Sequence, residues 1–362
     1  MPRSLVLASF ALAALAAGLV SLLEFNSSPT RPVSWRPTPV LAKWTTQFAP
    51  NNVLANPSRS ECTGKGPEAI AVNPLNGDLA TGFNDGTIRL ISGTSGSSKV
   101  IANTKGVPLG LGFLPDSSLV IADSMRGLLH VEQSGDVTVL STESEGILLR
   151  YPDGLVVDST GRNVYFTDVS QRYGPGADNL EVIEHSGTGR LLRYDTTTQR
   201  TTTLLSGLQF ANGVALGPGD AYVLVAETGA YRIQKYWLSG PMAGQSTVFA
   251  DGLPGFPDNV TFNGRDKFWV AIVAPRIGVL DGLARAPVLR RLLTTFLDAR
   301  IDASLSTARV VAFDLSGNPV ASLEGQGPQV FAPITEAHEV GSRLMLGSDD
   351  APCLASIHLP DR

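Results

Sequence analysis

The sequence predicts an all-β, six-bladed β-propeller with an N-terminal transmembrane or signal helix and a short helical insertion in blade five. Three observations predict it. A pair of alternating strands recurs six times along the chain, the spacing between most copies is that of a four-stranded blade, and the composition suits a large folded core. Of the 362 residues 43% are apolar and 17% charged, which is the balance of a globular protein and not of a disordered one.

Each copy has a small or Pro-containing turn, a short alternating apolar strand, a Gly or Asp turn and a second β-rich strand. GPEAIAV at Gly66 is followed by GDLATG, VPLGLGF at Val107 by SLVIAD, and YPDGLVV at Tyr151 by NVYFTD. FANGVAL at Phe210 is followed by AYVLVAE, FPDNVTF at Phe256 by KFWVAI, and PITEAHEV at Pro333 by RLMLGS. The third residues of the first five copies are Glu68, Leu109, Asp153, Asn212 and Asp258, separated by 41, 44, 59 and 46 positions. In the sixth copy Thr335 or Glu336 takes the equivalent place.

Two intervals exceed the period. Residues 169–189 are polar and Gly-containing and read as a long loop over one face of blade three. His185 lies in it, read as a solvent-exposed loop residue with a pocket-mouth role as the alternative. In the second interval Val288, Leu289, Leu292, Leu293, Phe296 and Leu297 recur at helical spacing behind Pro287, which predicts an amphipathic helix packed on the propeller face.

Ahead of the repeats, Leu5 to Leu23 is a nineteen-residue stretch without a charge, between Arg3 and Glu24. It is long enough to span a bilayer and reads as a signal anchor, with cleavage near Ala14–Ala16 as the alternative. The chain divides into this segment (1–24), a linker and N-terminal arm (25–58) and the propeller (59–362). An anchored body would be luminal or extracellular, and a cleaved one secreted or vacuolar. Cys62 and Cys353 are the two cysteines; they pair as a disulfide in an oxidising compartment or remain as two buried thiols. Asn26 heads a glycosylation sequon in the linker, whereas the sequon at Asn259 is discounted because it falls at the propeller axis. A net charge of -5 without any run of Lys or Arg excludes a nucleic-acid partner held by phosphate neutralisation.

Equivalent positions on the innermost strands of a propeller face one channel, so Glu68, Asp153, Asn212 and Asp258 converge there, with Asn259 adjacent. Three carboxylates and one or two amide oxygens in low dielectric repel one another, and a hard divalent cation satisfies them together. Ca2+ suits such a ring better than Mg2+, and the scattered histidines and two distant cysteines lack zinc spacing. The competing reading is that these side chains cap strand ends or bridge blades.

With the residues in place, a resemblance emerges. TGRLLRYDTTTQRTTTLLSGLQFANGVAL, YVLVAETGAYRIQKYWLSGP, LPGFPDNV and FWVAIVAP resemble the strictosidine synthase-like family, especially its adipocyte plasma membrane-associated protein branch. The resemblance runs from about GPEAIAV to LMLGS. It implies a six-bladed propeller, a type II membrane anchor and arylesterase or lactonase-like hydrolysis. More distant relatives are the paraoxonases, diisopropylfluorophosphatase and the regucalcin and gluconolactonase group, which hold a metal at the axis. Glu68, Asn212, Asp258 and Asn259 resemble axial residues of those proteins, whereas Asp153 stands where they usually carry Asn. Pro333 falls at the position of the strictosidine synthase general base, and Leu109 to Phe113 hold no counterpart of a paraoxonase histidine.

The function expected is a calcium-dependent hydrolase of lactones or aryl esters, with Asp258 or Asp153 as base or nucleophile and His185 and Thr335 as pocket residues. Its alternatives are a non-catalytic, membrane-anchored binding propeller with structural calcium and, disfavoured by Pro333, a carbon–nitrogen lyase of the strictosidine type.

Overall fold

The computed structural model describes residues 30–60, 64–296 and 307–359. Six four-stranded antiparallel sheets stand around one axis, and β1 (Ser58–Arg59), first in the chain, belongs to the last of them. Blade one holds β2 (Ala71–Val72), β3 (Leu79–Gly82), β4 (Thr87–Ile91) and β5 (Ser98–Asn103). Blade two holds β6 (Pro108–Phe113), β7 (Leu119–Asp123), β8 (Gly127–Val131) and β9 (Val137–Ser141), after which β10 (Glu143–Ser144) and β11 (Ile147–Leu148) form a small hairpin. Blade three is β12 (Pro152–Val157), β13 (Asn163–Asp168), β14 (Gly189–Asp195) and β15 (Arg200–Leu208); blade four is β16 (Ala211–Leu216), β17 (Tyr222–Glu227), β18 (Arg232–Trp237) and β19 (Ser246–Ala250). Blade five is β20 (Gly255–Phe262), β21 (Lys267–Pro275), β22 (Thr307–Asp314) and β23 (Pro319–Gln326). Blade six runs outward from β24 (Glu336–Val340) through β25 (Arg343–Gly347) and β26 (Ala355–His358) to β1, so both ends of the propeller region meet in one sheet and close the ring.

The core lies between blades, because each sheet buries both faces against its neighbours. Between blades four and five it is aromatic, with Phe249, Phe268 and Phe313 edge-packed at centroid separations of 5.5 and 6.1 Å. At the axis the inner strands approach backbone to backbone, and the sequence permits this with glycine one residue past the axial position. A Cβ on Gly154 would stand 2.5 Å from the Gly213 Cα, and one on Gly213 would stand 2.4 Å from the Asn259 Cα.

Strand register fixes which face carries the insertions. Pro152 pairs with Asp168 and Gly255 with Pro275, so the second strands of blades three and five end level with the start of their inner strands. Both insertions therefore rise on the face where the axial residues begin. The first contains a helix where the sequence suggested only loop: after α1 (Lys43–Thr46) in the arm, α2 is Asp178–Glu184, with Ile183 inward and Ser170 and Tyr173 donating to Glu181 and Glu184. The second contains α3 (Gly278–Gly282) and the expected helix, α4 (Pro287–Phe296).

The N-terminal arm lies along this surface. Val33 N–H donates to the Glu184 carbonyl at 2.9 Å, Trp35 N–H to Ala284 at 3.1 Å, Leu41 N–H to Gly252 at 3.1 Å and Leu54 N–H to Glu324 at 2.9 Å. The stretch from Leu5 to Leu23, Asn26 and Cys62 lie outside the described residues. Among the described residues no helix is long and apolar enough to cross a membrane. Cys353 is buried and is not a free thiol.

Candidate metal centre

Acidic residues closing the second strands of three blades tether the entries to their inner strands. The Asp123 carboxylate accepts from Val107 N–H at 3.1 Å, Asp168 from Tyr151 N–H at 2.7 Å and Glu227 from Gln209 N–H at 2.9 Å, so in blades two, three and four an acid tethers the entry to the inner strand. Asp168 is paired in turn with buried Arg190 at 2.7 Å, and Glu227 with Arg232. The repeat contained these acids as the last letters of SLVIAD, NVYFTD and AYVLVAE, yet sequence reasoning gave them no role.

Hydroxyls then tie one blade to the next. Thr167 donates to the Asn212 carbonyl at 2.8 Å, and Thr228 to the Pro257 carbonyl at 2.6 Å. In blade six Thr335 occupies the axial position: its carbonyl accepts from Asn259 N–H at 3.0 Å, and its hydroxyl donates to the Glu68 carbonyl at 3.4 Å. Glu336, the alternative for that place, turns to the channel wall and accepts from Ile70 N–H at 3.0 Å.

Glu68, Asp153 and Asp258 lie close enough for their charges to act on one another, and the Asn212 side chain reaches Asp258. Glu68, Asp153, Asn212, Asp258 and Asn259 are all between 3% and 6% exposed. Burial, then the neighbouring charges of Asp153 and Asp258, pushes the Glu68 carboxyl well above the usual range. Asp258 is raised well above it by burial and by Asp153, with the Asn212 side chain as a partial offset. Asp153 is pushed up to about 8, first by burial and then by Asp178 and Asp349. Asp153 Oδ1, Asn212 Oδ1 and Asp258 Oδ1, from three successive blades, are buried without a hydrogen-bond partner. Three unsatisfied oxygens among carboxyls that disfavour one another's charge match the donor chemistry of a hard cation. Among the described residues, no three Asp, Glu, His or Cys side chains form a ready ligand cluster, so the three axial carboxyls do not by themselves make a preformed site.

Two further acids belong to this electrostatic neighbourhood and were missed, because neither occupies the axial phase of a repeat. Asp178 opens α2 and accepts from the Tyr151 hydroxyl at 2.8 Å. Asp349 follows β25 at the rim and is pushed up to about 6, first by desolvation of its carboxyl and then by Asp350. Beside the ring, Leu109, Tyr151, Val169 and Phe210 form an apolar cluster. Blade two thus offers the axis an apolar side chain, as the sequence indicated.

His185 is corrected from an exposed loop residue to a buried one. It caps α2 in the left-handed conformation, is 5% exposed and stacks on Trp35 with centroids 3.8 Å apart. Burial, then Arg290 and Arg232, lowers its pKa to about 3, so the ring is neutral. The sequence hid this because the covering tryptophan comes from the arm, 150 residues earlier. His338 lies on β24, its Nδ1 3.6 Å from Glu336. A channel of about 660 Å³ continues from Asn259, Glu336 and His338 toward Asp158 and Asp220 on the opposite face.

Residues 153–241 match the strictosidine synthase family model, and residues 47–90 match the N-terminal model of strictosidine synthase-like proteins. The chain is 34% identical to the adipocyte plasma membrane-associated protein of Gallus gallus over 94% of its length and 86% of that chain. It is 32% identical to a strictosidine synthase-like protein of Arabidopsis thaliana over 78% of its own length and 76% of the other. Among solved structures, a gluconolactonase from Xanthomonas campestris superposes with a TM-score of 0.61 at 16% identity, covering 86% of this chain and 99% of that one. Regucalcin from Agrobacterium tumefaciens, described as a calcium-binding protein, superposes with a TM-score of 0.59 at 16% identity, covering 86% and 96%. These two likenesses concern the propeller fold, while the sequence relatives carry the family: the chain belongs to the strictosidine synthase-like family.

Proposed function

We propose that the protein is a calcium-dependent hydrolase of lactones or aryl esters. The observation that carries the reading is the trio of buried, unpartnered oxygens on Asp153, Asn212 and Asp258. Glu68 and Asn259 complete the residues that would hold the ion. When bound, Ca2+ would supply Lewis-acid polarisation of a carbonyl and charge for a developing oxyanion.

The chain's own groups do the rest. In its ionised form Asp258 or Asp153 takes the proton of a water that adds to the acyl carbon, and the ester C–O bond breaks to release the alcohol or aryloxide. Alternatively the carboxylate itself adds there with the same departure, and water then hydrolyses the acyl-carboxylate anhydride to the acid and the free carboxylate. Tyr151, held by Asp178, and Phe210 present an apolar wall that orients an aryl or alkyl group and excludes water. Likeness in fold to a gluconolactonase and a calcium-binding protein supports the hydrolase class and the ion. The deep burial of every axial side chain favours a second reading, in which the ion is a structural clasp in a binding propeller. Condensation of an amine with an aldehyde lacks support, because Pro333 stands ahead of β24 where that chemistry would need an acid.

The proposal extends to the setting: an anchor at Leu5 to Leu23, a luminal or extracellular propeller, and a Cys62–Cys353 bridge. Metal analysis of the purified protein, followed by an ester and lactone panel with and without chelator, tests the activity. Turnover abolished by chelation and restored by Ca2+ is expected. Bound metal without turnover on the panel would favour the clasp, and neither metal nor turnover would overturn both readings.

A further inference from the structure

The helical face of the propeller carries exposed apolar surface that the axial chemistry does not use. Val33, Val40 and Leu41 of the arm, Val279 of α3, and Val288 and Leu289 of α4 are all exposed. Hydrogen bonds hold them in one unit. Buried Arg290 donates to the carbonyls of Ile183 and Val33, Arg276 donates to Thr38 at 2.7 Å, and Trp35 N–H reaches Ala284.

The first turn of α4 is inverted relative to an ordinary surface helix. Val288 is 61% and Leu289 48% exposed, while Arg290 between them and the interior is 1% exposed. The sequence reading placed the apolar residues of this helix against the propeller; at Val288 and Leu289 the structure turns them outward, because arginine makes the interior contacts. A soluble surface gains nothing from this arrangement, and apolar patches rimmed by charge mark contact sites.

The rim identifies the occupant. Within residues 30–41 and 277–296 the exposed charged side chains are Arg31, Arg36 and Arg285. The one acid in those segments, Asp281, accepts from the Tyr231 hydroxyl at 3.0 Å. Valine and leucine among arginines complement acyl chains beneath anionic headgroups, whereas a second copy of the same face would oppose arginine to arginine. Thr30 follows Leu23 by seven residues, at most about 25 Å of extended chain. If the Leu5 to Leu23 stretch enters a bilayer, this face is therefore held beside it.

We propose that the surface formed by the arm, α3 and α4 docks on a bilayer bearing anionic headgroups, which turns the face carrying the axial residues toward the membrane. The proposal draws part of its support from the anchor reading, so the test separates the two. The full chain is incorporated into phosphatidylcholine–phosphatidylglycerol vesicles, flotation is scored, and amide hydrogen exchange is compared with the detergent-solubilised chain. Exchange in residues 31–41 and 278–292 should slow several-fold in vesicles, while strand β5 on the outer edge of blade one stays unchanged. The Val288→Asp/Leu289→Asp double variant, altered only at exposed positions, should float as before but lose that slowing. Flotation without protection of the helical face, or protection that survives in the double variant, overturns the docking surface alone; neither flotation nor protection overturns the anchor and the surface together.

Discussion

Replacing Asp258 by Asn separates a cation-holding ring from a set of blade-bridging polar groups. The substitution keeps side-chain shape and removes one of three buried axial carboxyls. In chelator the expected change in stability is at most about 1 kcal/mol and favourable, because the lost group is one whose charge burial and Asp153 already disfavour. In calcium the sign reverses. At a concentration 100-fold above Kd, binding to the folded state alone stabilises the wild type by about 2.7 kcal/mol. For a domain of this size that is roughly 5 °C in melting temperature. A 100-fold loss of affinity on removal of one ligand charge leaves the variant about 0.4 kcal/mol, under about 1 °C. The assay is a pair of thermal scans per protein, in calcium and in EDTA, beside metal content by mass spectrometry. A variant that keeps the full calcium shift, or that loses equal stability in both buffers, refutes the idea that Asp258 faces an ion.

Gly213→Ala places a methyl 2.4 Å from the Asn259 Cα, a backbone atom that cannot retreat without opening the ring, and should cost about 1–3 kcal/mol in urea unfolding. Gly282→Ala, which meets nothing within 4 Å, should stay within about 0.5 kcal/mol of wild type. Arg190→Met strands the buried Asp168 carboxylate that tethers Tyr151 N–H, and should cost about 3–5 kcal/mol by the same assay. His185 titrates at about 3 in the fold against about 6.5 unfolded, so the unfolded chain binds the extra proton and stability falls as pH drops from 6.5 toward 3. This loss approaches about 1.4 kcal/mol per pH unit. His185→Phe, which preserves stacking on Trp35, should flatten that part of the stability–pH curve; an unchanged slope would place the titration elsewhere.

The repeats exposed the fold because a blade is a local object. Its strands alternate within some forty residues, and the third residue of GPEAIAV, YPDGLVV, FANGVAL and FPDNVTF marks the same phase of each repeat, ahead of the inner strand in blade one and inside it in blades three, four and five. Convergence of Glu68, Asp153, Asn212 and Asp258 then follows from closure of the ring, which no single segment reveals but six copies require. What stayed hidden depends on contacts between distant segments. β1 completes blade six only because Ser58 and Arg59 pair with Ser356 and Ala355. Trp35 reaches across from the arm to cover His185, and nothing in VIEHSG signals that partner. Asp178 and Asp349 enter the electrostatic neighbourhood of the axis from an insertion and a strand-end turn, outside the repeat that found the others.

The inverted turn of α4 follows the same logic. Helical spacing in PVLRRLLTTF identifies a helix but not which face is buried, because the stripe is read on the assumption that its neighbours are apolar. The neighbours at Arg290 are the carbonyls of Ile183 and Val33, so the guanidinium turns inward and carries Val288 and Leu289 out. The polar backbone of the arm therefore decides the polarity of the helix. A chain shortened to remove residues 30–41 would leave Arg290 without the Val33 carbonyl, and α4 would be expected to rotate or detach. Limited proteolysis between Gly278 and Phe296 would report the change as cleavage absent from the intact protein, and equal resistance in both chains would show that α2 alone holds the helix in place.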